Sequence, residues 1–176
     1  RADLTVTFHR MKSGLEKARE YCGEIKVVEI GIPYEAELYV GPGDVEIIPK
    51  TREPQSHKGD FGRLLIIGGN ETFSGAPALV ALAALRTGVD LAYVAAPERT
   101  AYAISSISPN LITIKLSGEH FASQNVGQLK GMIVKATAVV AGPGLGTHKD
   151  SFIAVEELLK VLEEFRKPTL LDADAL

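Results

Sequence analysis

The chain has 176 residues, 45% of them apolar and 23% charged, with 17 glycines, a composition that excludes the disordered and fibrous classes. A net charge of −3, a pI near 5.8 and the lack of any long Lys/Arg run argue against a nucleic-acid partner. The best apolar stretch, residues 76–85, is far shorter than the roughly 20 residues of a membrane span, and Cys22 is the only cysteine, so a soluble, cytoplasmic protein without disulfides is expected.

In chain order, residues 1–48 read as the end of one sheet-containing domain, with an alternating strand at 4–8, a short charged helix near 15–21 and a strand at 26–30. Pro49 and Pro54 enclose charged and polar residues, which predicts a linker over 49–55. From residue 56 onward strand and helix signals alternate. Residues 63–67 form a buried strand that stops at Gly68-Gly69. Ser74 is then expected to cap a helix with Pro77 in its first turn, an Ala- and Leu-rich body at 78–86, and Gly88 at its end. A strand at 90–95, a helix near 99–106 and a strand at 111–116 follow. Residues 136–141 make the next strand, which runs into Gly142-Pro143-Gly144-Leu145-Gly146. Phe152, Val155, Leu158, Leu159, Leu162 and Phe165 mark one face of an amphipathic helix, and residues 169–171 start a further strand.

This alternation predicts an α/β fold with a mostly parallel sheet, because a parallel return requires the chain to cross the sheet. Loops leaving the carboxyl ends of such strands share one edge. Gly68-Gly69, Ala96-Pro97, Gly142 to Gly146 and Asp172 to Asp174 are therefore expected together, where a ligand belongs.

The chemistry-bearing residues follow from that edge. The segment from Gly68-Gly69-Asn70 to Gly75-Ala76-Pro77 opens onto a helix N-terminus, whose N–H groups and dipole favour an anion such as a pyrophosphate. No Lys-Ser/Thr pair follows, so it is not a Walker loop. The Gly142–Gly146 turn lets backbone approach a ligand, although a Gly-Pro-Gly turn by itself is more often plain chain reversal and draws its interest from sitting at the same edge; it lacks the G-x-G-x-x-G spacing of a conventional dinucleotide fold. Gly69, Asn70, Asp172 and Asp174 are the candidate edge of the site. The two aspartates alternate at a strand end, so they face opposite ways unless the strand has bent; either can hold magnesium through water, take a proton, or simply cap a helix. His9, His57, His120 and His148 show no metal-ligand spacing, and no nucleophile elbow appears, which disfavours zinc and acyl-transfer chemistry.

Five motifs, Lys58-Gly59-Asp60-Phe61-Gly62, Gly75-Ala76-Pro77-Ala78, the segment 82–90, Gly142-Pro143-Gly144-Leu145-Gly146 and Asp172-Ala173-Asp174-Ala175-Leu176, occur in order over residues 56–176. In that order they resemble the NAD(P)H-hydrate dehydratase family. The resemblance implies part of a ribokinase-like three-layer sandwich and a lyase reaction of metabolite repair. ADP, or ATP, with magnesium phosphorylates the S form of hydrated NADH or NADPH (NADHX, NADPHX); phosphate then leaves and the reduced cofactor is restored. It also implies that Ala76, Gly144 and Gly146 contact the hydrated dinucleotide. Residues 1–48, with Ala2-Asp3-Leu4-Thr5-Val6-Thr7-Phe8, Lys12 and Gly14, resemble the end of the Rossmann-like epimerase domain that interconverts R and S hydrates. That likeness makes Asp3 a substrate contact and Thr5 and Val6 ligands of a potassium ion. In the family pattern the catalytic Asp lies beyond Leu176, so no catalytic residue is expected among these 176 residues. Both ends resemble cuts, and the chain is expected to be an inactive fragment.

Two other readings share the same architecture: a ribokinase-like kinase of a vitamin-precursor alcohol, and a non-catalytic nucleotide-binding module. A stable phosphorylated product marks the first, and binding without turnover marks the second. The 58–62 loop and the epimerase-like segment favour the dehydratase. Exposed edge strands leave pairing with a second copy open.

Overall fold

Leu65, Ile66 and Ile67 are fully buried, although neighbouring side chains on a strand point to opposite faces. A strand buried on both faces needs cover on both. The computed structural model, which describes residues 1–46, 48 and 51–176, supplies that cover as helices. Pro49 and Lys50, the start of the predicted linker, lie outside the described residues. The chain divides into two compact units, Arg1–Thr51 and Arg52–Leu176.

In the first unit, β1 (Leu4–Phe8) runs parallel to β2 (Glu24–Val28), with Leu4 opposite Glu24. Two short helices, α1 (Ser13–Lys17) and α2 (Arg19–Cys22), make the crossover in place of the single predicted helix. The second strand starts earlier than its apolar pattern suggested, because Gly23 (φ 62°) ends α2 in a conformation that L side chains rarely adopt. A Cβ at Gly23 would overlap the carbonyl oxygens of Ala2 and Asp3. Helices α3 (Glu35–Leu38) and α4 (Pro42–Glu46) complete this unit.

The second unit is built on a five-stranded parallel sheet of order β5-β4-β3-β6-β7. Its strands are β3 (Arg63–Ile67), β4 (Leu91–Pro97), β5 (Ile112–Leu116), β6 (Ala138–Ala141) and β7 (Thr169–Leu171). On one face, α5 (Gly75–Thr87) and α6 (Glu98–Ile107) bury Ala78, Ala81, Ala101 and Ile104 in one core with Ile66, Val94 and Val140. On the other face, α7 (Ser123–Lys135) and α8 (Lys149–Glu164) bury Leu129, Ile133, Leu158 and Leu162 with Leu65, Ile67 and Val139. The expected α/β layering is therefore present, with the sheet between two helical layers. Among the described residues, no helix is long and apolar enough to cross a membrane.

Two local expectations need correction, and one helix was not expected. Ser74 does not cap α5: its backbone is already helical (φ −94°, ψ −24°), whereas a capping side chain requires an extended residue, and its hydroxyl makes no cap bond. The buried face of α8 is Ser151, Ala154, Val155, Leu158, Val161 and Leu162, while Phe152 is 48% exposed. Two small residues, Ser151 and Ala154, bring the helix close to its neighbours, and Ser151 Oγ donates to the Phe121 carbonyl at 2.9 Å. Helix α7 has no counterpart among the predicted elements. Gly127 and Gly131 dilute its pattern, and its N-terminus is organised by Asn125, whose fully buried amide accepts from Ala122 N and donates to Ser117 O. A methyl added at Gly127 or Gly131 would meet nothing within 4 Å. Gly127→Ala and Gly131→Ala are each expected to raise stability by about 1 kcal/mol in urea unfolding, the difference in helix propensity between the two residues.

The Lys58–Gly62 loop is held by one carboxylate. Asp90, whose side chain is 6% exposed, accepts from the amides of Gly59 (2.8 Å) and Phe61 (3.0 Å) and pairs with the Arg52 guanidinium. The Phe61 amide, then Arg52 and the Gly59 amide, hold its carboxyl below the usual carboxylate range. A depressed carboxylate stabilises the fold above its unfolded value, and that contribution is lost as pH falls through the folded value. Asp90→Asn should therefore lower the melting temperature at pH 7, and the gap from the parent chain should narrow on acidification. An unchanged gap between pH 7 and pH 3 would count against this clamp.

Candidate functional site

The chain enters the sheet at the central strand β3, moves outward through β4 to β5, then returns across it to β6 and β7. Connections thus diverge on either side of the β3–β6 pair, and the crevice beyond the carboxyl ends of such a pair is where open α/β sheets bind ligands. The two glycine loops leave from these two strands. Gly69 N donates to Pro143 O (2.9 Å), Gly142 N to Ile67 O (3.0 Å), and Gly68 N to Ala95 O (3.1 Å). The expectation that the strand-end loops gather along one edge is met by direct bonds between them.

Asn70 organises the first loop. Its Oδ1 accepts from the amides of Thr72 (2.7 Å) and Phe73 (2.9 Å), and its carbonyl accepts from the buried Thr100 hydroxyl (2.8 Å). Ala76, in the first turn of α5, is exposed and lies against Gly144: a Cβ at Gly144 (φ 68°) would stand 3.6 Å from that of Ala76 and 3.0 Å from that of Phe73. Gly146 (φ 80°) has no room for a side chain beside the Asn70 amide. Its N–H donates to Asp174 Oδ2 at 2.8 Å. Gly69, Asn70, Ala76, Gly144, Gly146 and Asp174 therefore converge.

The strand alternation expected for Asp172 and Asp174 does not apply, because a 3₁₀ turn over Ala173–Ala175 follows β7 directly. Asp174 turns back onto the glycine turn. Asp172 is exposed; its amide donates to Ala141 O (3.0 Å), and its carboxylate has no partner among the described residues. Many loop amides are engaged internally, and those of Gly75 and Ala76 at the α5 N-terminus and of Gly144 are among the N–H groups that take no part in the loop bonding, so they are the ones at the glycine edge open to an anion.

Several residues placed here carried little sequence signal. Thr100 is 4% exposed on α6 and ties that helix to the first loop; a polar residue on the buried face of a helix was the one available hint. Phe73, in the first loop and 53% exposed, brings its Cβ and carbonyl against Gly144, and Leu145, at 1% exposure, roots the Gly-Pro-Gly turn in the core. The Lys58–Gly62 loop, in contrast, precedes β3 at the amino ends of the strands, as Asp90 precedes β4, and is not part of this edge.

The remaining predicted residues belong to the first unit. Asp3 is exposed, and its carbonyl accepts from Glu24 N (3.0 Å). Thr5 Oγ1 donates to Cys22 O (2.7 Å), and Val6 is 48% exposed. The Lys12 ammonium donates to the carbonyls of Phe8 (2.6 Å) and Arg10 (2.8 Å), closing the turn after β1.

The sheet order, the two helical layers and the switch-point glycine loops define a ribokinase-like α/β unit. Solved structures agree on that fold: a ribokinase-like superfamily protein from Enterococcus faecalis aligns with TM-score 0.60 at 22% identity, over 71% of this chain and 41% of that one. An ADP/ATP-dependent NAD(P)H-hydrate dehydratase from Bacillus subtilis, co-crystallised with ATP and Mg2+, aligns with TM-score 0.58 at 22% identity, over 76% of this chain and 45% of that one. A family model described as NAD(P)H-hydrate dehydratase matches residues 64–176, and the chain belongs to that family. A bifunctional NAD(P)H-hydrate repair enzyme from Pyrobaculum aerophilum is 50% identical over 100% of this chain and 35% of its own length. Its counterpart from Methanothermobacter thermautotrophicus is 48% identical over 99% of this chain and 34% of its own. The chain thus spans about a third of the length of these relatives.

Proposed function

We propose that the second unit serves nicotinamide nucleotide repair, as the dinucleotide-holding part of a dehydratase that uses ADP or ATP to return S-NADHX and S-NADPHX to NADH and NADPH. The observation that carries this reading is the meeting of the two glycine loops at the β3–β6 switch point, with the amides of Gly75, Ala76 and Gly144 uncommitted. Those amides and the dipole of α5 suit a pyrophosphate, and the small Ala76 beside Gly144 leaves the backbone approachable. Gly69, Asn70, Gly146 and Asp174 keep the two loops in register. The unpartnered Asp172 carboxylate fits a magnesium ion held through water, which when bound would neutralise charge on the nucleotide phosphates.

For the first unit, we propose the end of a linked R/S epimerase, with Asp3 at the substrate and Thr5 and Val6 at a potassium ion. Thr5 donates its proton to Cys22 O, which leaves its oxygen lone pairs available to a cation. Residues 49–55 act as the linker between the two. The working location is the cytoplasm, the partners are the hydrated dinucleotide and an adenine nucleotide, and self-association remains part of the proposal. The transfer of a proton is assigned to no residue of this chain.

The test supplies the full-length protein with NADHX, magnesium and ADP, ATP or no nucleotide, and follows the return of NADH absorbance. Recovery that needs a nucleotide supports the dehydratase. A stable phosphorylated alcohol from a vitamin precursor, without NADHX recovery, replaces it with the small-molecule kinase; nucleotide binding with no product of either kind replaces it with a binding module.

A further inference from the structure

The four histidines carry no metal-ligand spacing in the sequence, yet the fold brings two of them to one carboxylate. His120 lies between β5 and α7, and its Nε2 is 3.3 Å from Asp150 Oδ2. His148 is the N-cap residue of α8, and its Nδ1 is 3.8 Å from the same oxygen. The two imidazole rings stack with centroids 3.7 Å apart. One ligand atom from each of the three residues lies within 4.8 Å of the others. A tetrahedral ion with bonds of about 2.0–2.2 Å keeps adjacent donors roughly 3.3 Å apart, so small side-chain rotations convert this triangle into a coordination face.

We propose that His120, His148 and Asp150 form a binding site for a divalent transition-metal ion of the zinc, cobalt or nickel class. Two imidazoles with one carboxylate suit such borderline ions, whereas magnesium and calcium favour all-oxygen ligand sets. The proposal uses side chains that the repair reading leaves unassigned and does not depend on it.

The backbone under the site is fixed. Phe121, adjacent to His120, is fully buried, and its carbonyl accepts from the Oγ of Ser151, adjacent to Asp150 and 2% exposed. The two ligand-bearing segments are thus bonded to each other one residue away from the ligands. The ligand side chains themselves retain freedom, at 29% exposure for His120, 53% for His148 and 58% for Asp150. An open cleft of about 410 Å3, lined by His120 and Asp150 with Ser123 and Gln124, leaves space for waters to complete the shell. His148 Nδ1 now accepts a long bond from Asp150 N (3.2 Å); coordination exchanges that cap bond for a metal bond.

Titration with Co2+, read by its visible d–d absorption, tests the site in this 176-residue chain, in parallel with Cys22→Ser, which removes its only thiol. The expected result is saturable one-to-one binding in both, displaced by Zn2+ and not by Mg2+. His120→Ala and His148→Ala should each weaken it by more than about tenfold, the loss that even outer-shell partners of metal sites can produce. Zn2+ should raise the melting temperature of the parent and not of the double variant, and far-UV circular dichroism checks that each variant is folded. Absence of saturable Co2+ binding in the parent overturns the proposal. So does binding that the folded His120→Ala/His148→Ala variant retains at parental affinity.

Discussion

Gly142→Ala is expected to destabilise the second unit by about 3–5 kcal/mol, the sum of an unfavourable backbone conformation and an overlap that cannot relax locally. Gly142 has φ 123°, where L side chains are strained whatever the space around them. Its methyl would overlap the Asp172 carbonyl oxygen and stand 2.9 Å from Ala175 Cβ. Both obstacles belong to the 3₁₀ turn after β7, whose start is fixed by the Asp172 N–H bond to Ala141 O (3.0 Å). Relief would require lifting that turn off β6, which also moves Asp174 away from Gly146. Gly75→Ala is the matching control: nothing lies within 4 Å of its added methyl and its φ is not positive, so the change should stay under about 1 kcal/mol. Urea unfolding of both variants measures the difference. Equal midpoints would mean that β7 and its turn do not pack against β6 as described.

In the sequence, Gly142-Pro143-Gly144-Leu145-Gly146 reads either as plain chain reversal or as a place where backbone can approach a ligand. Gly142 is instead required by the chain itself, and Gly144 and Gly146 are crowded by Phe73 and Asn70. The glycines let two loops and a turn close on one another, and the ligand edge is a product of that closure.

The strands were legible because Leu65, Ile66 and Ile67, or Val139 to Ala141, form short apolar runs bounded by turn residues, the pattern of a sheet covered on both faces. Their common edge followed from parallelism alone. Helix α7 was not legible, since two exposed glycines and a buried Asn125 interrupt its apolar spacing, and its stability comes from packing Val126, Leu129 and Ile133 against the sheet. The α8 face was misread for a related reason: bulk marked Phe152 and Leu159 as core, whereas contact geometry selected Ser151 and Ala154. Partners distant in sequence, such as Thr100 with Asn70, Asp90 with Gly59, or His120 with Asp150, are set by tertiary structure, and no local pattern announces them.

Asp174 offers the sharpest separation of loop order from chemistry. Its carboxylate accepts the Gly146 amide at 2.8 Å and is the one side-chain bond from the β7 turn to the Gly-Pro-Gly segment among the described residues. A hydrogen bond to a charged acceptor contributes about 1.5–3 kcal/mol, and partial exposure places this one toward the lower end. Asp174→Ala should therefore lower unfolding stability by about 1–2 kcal/mol, and Asp174→Asn, which keeps an acceptor oxygen, by about half of that. If the edge holds the hydrated dinucleotide as proposed, the alanine variant should also lose about tenfold in affinity for NADPH used as a probe, because each 1.4 kcal/mol of lost order in the bound turn is a factor of ten. The two readouts divide the outcomes. A loss of stability with unchanged NADPH affinity would confine Asp174 to the fold and move the dinucleotide away from Gly144 and Gly146; a parallel loss in both, largely restored by asparagine, ties ligand binding to the geometry of that turn.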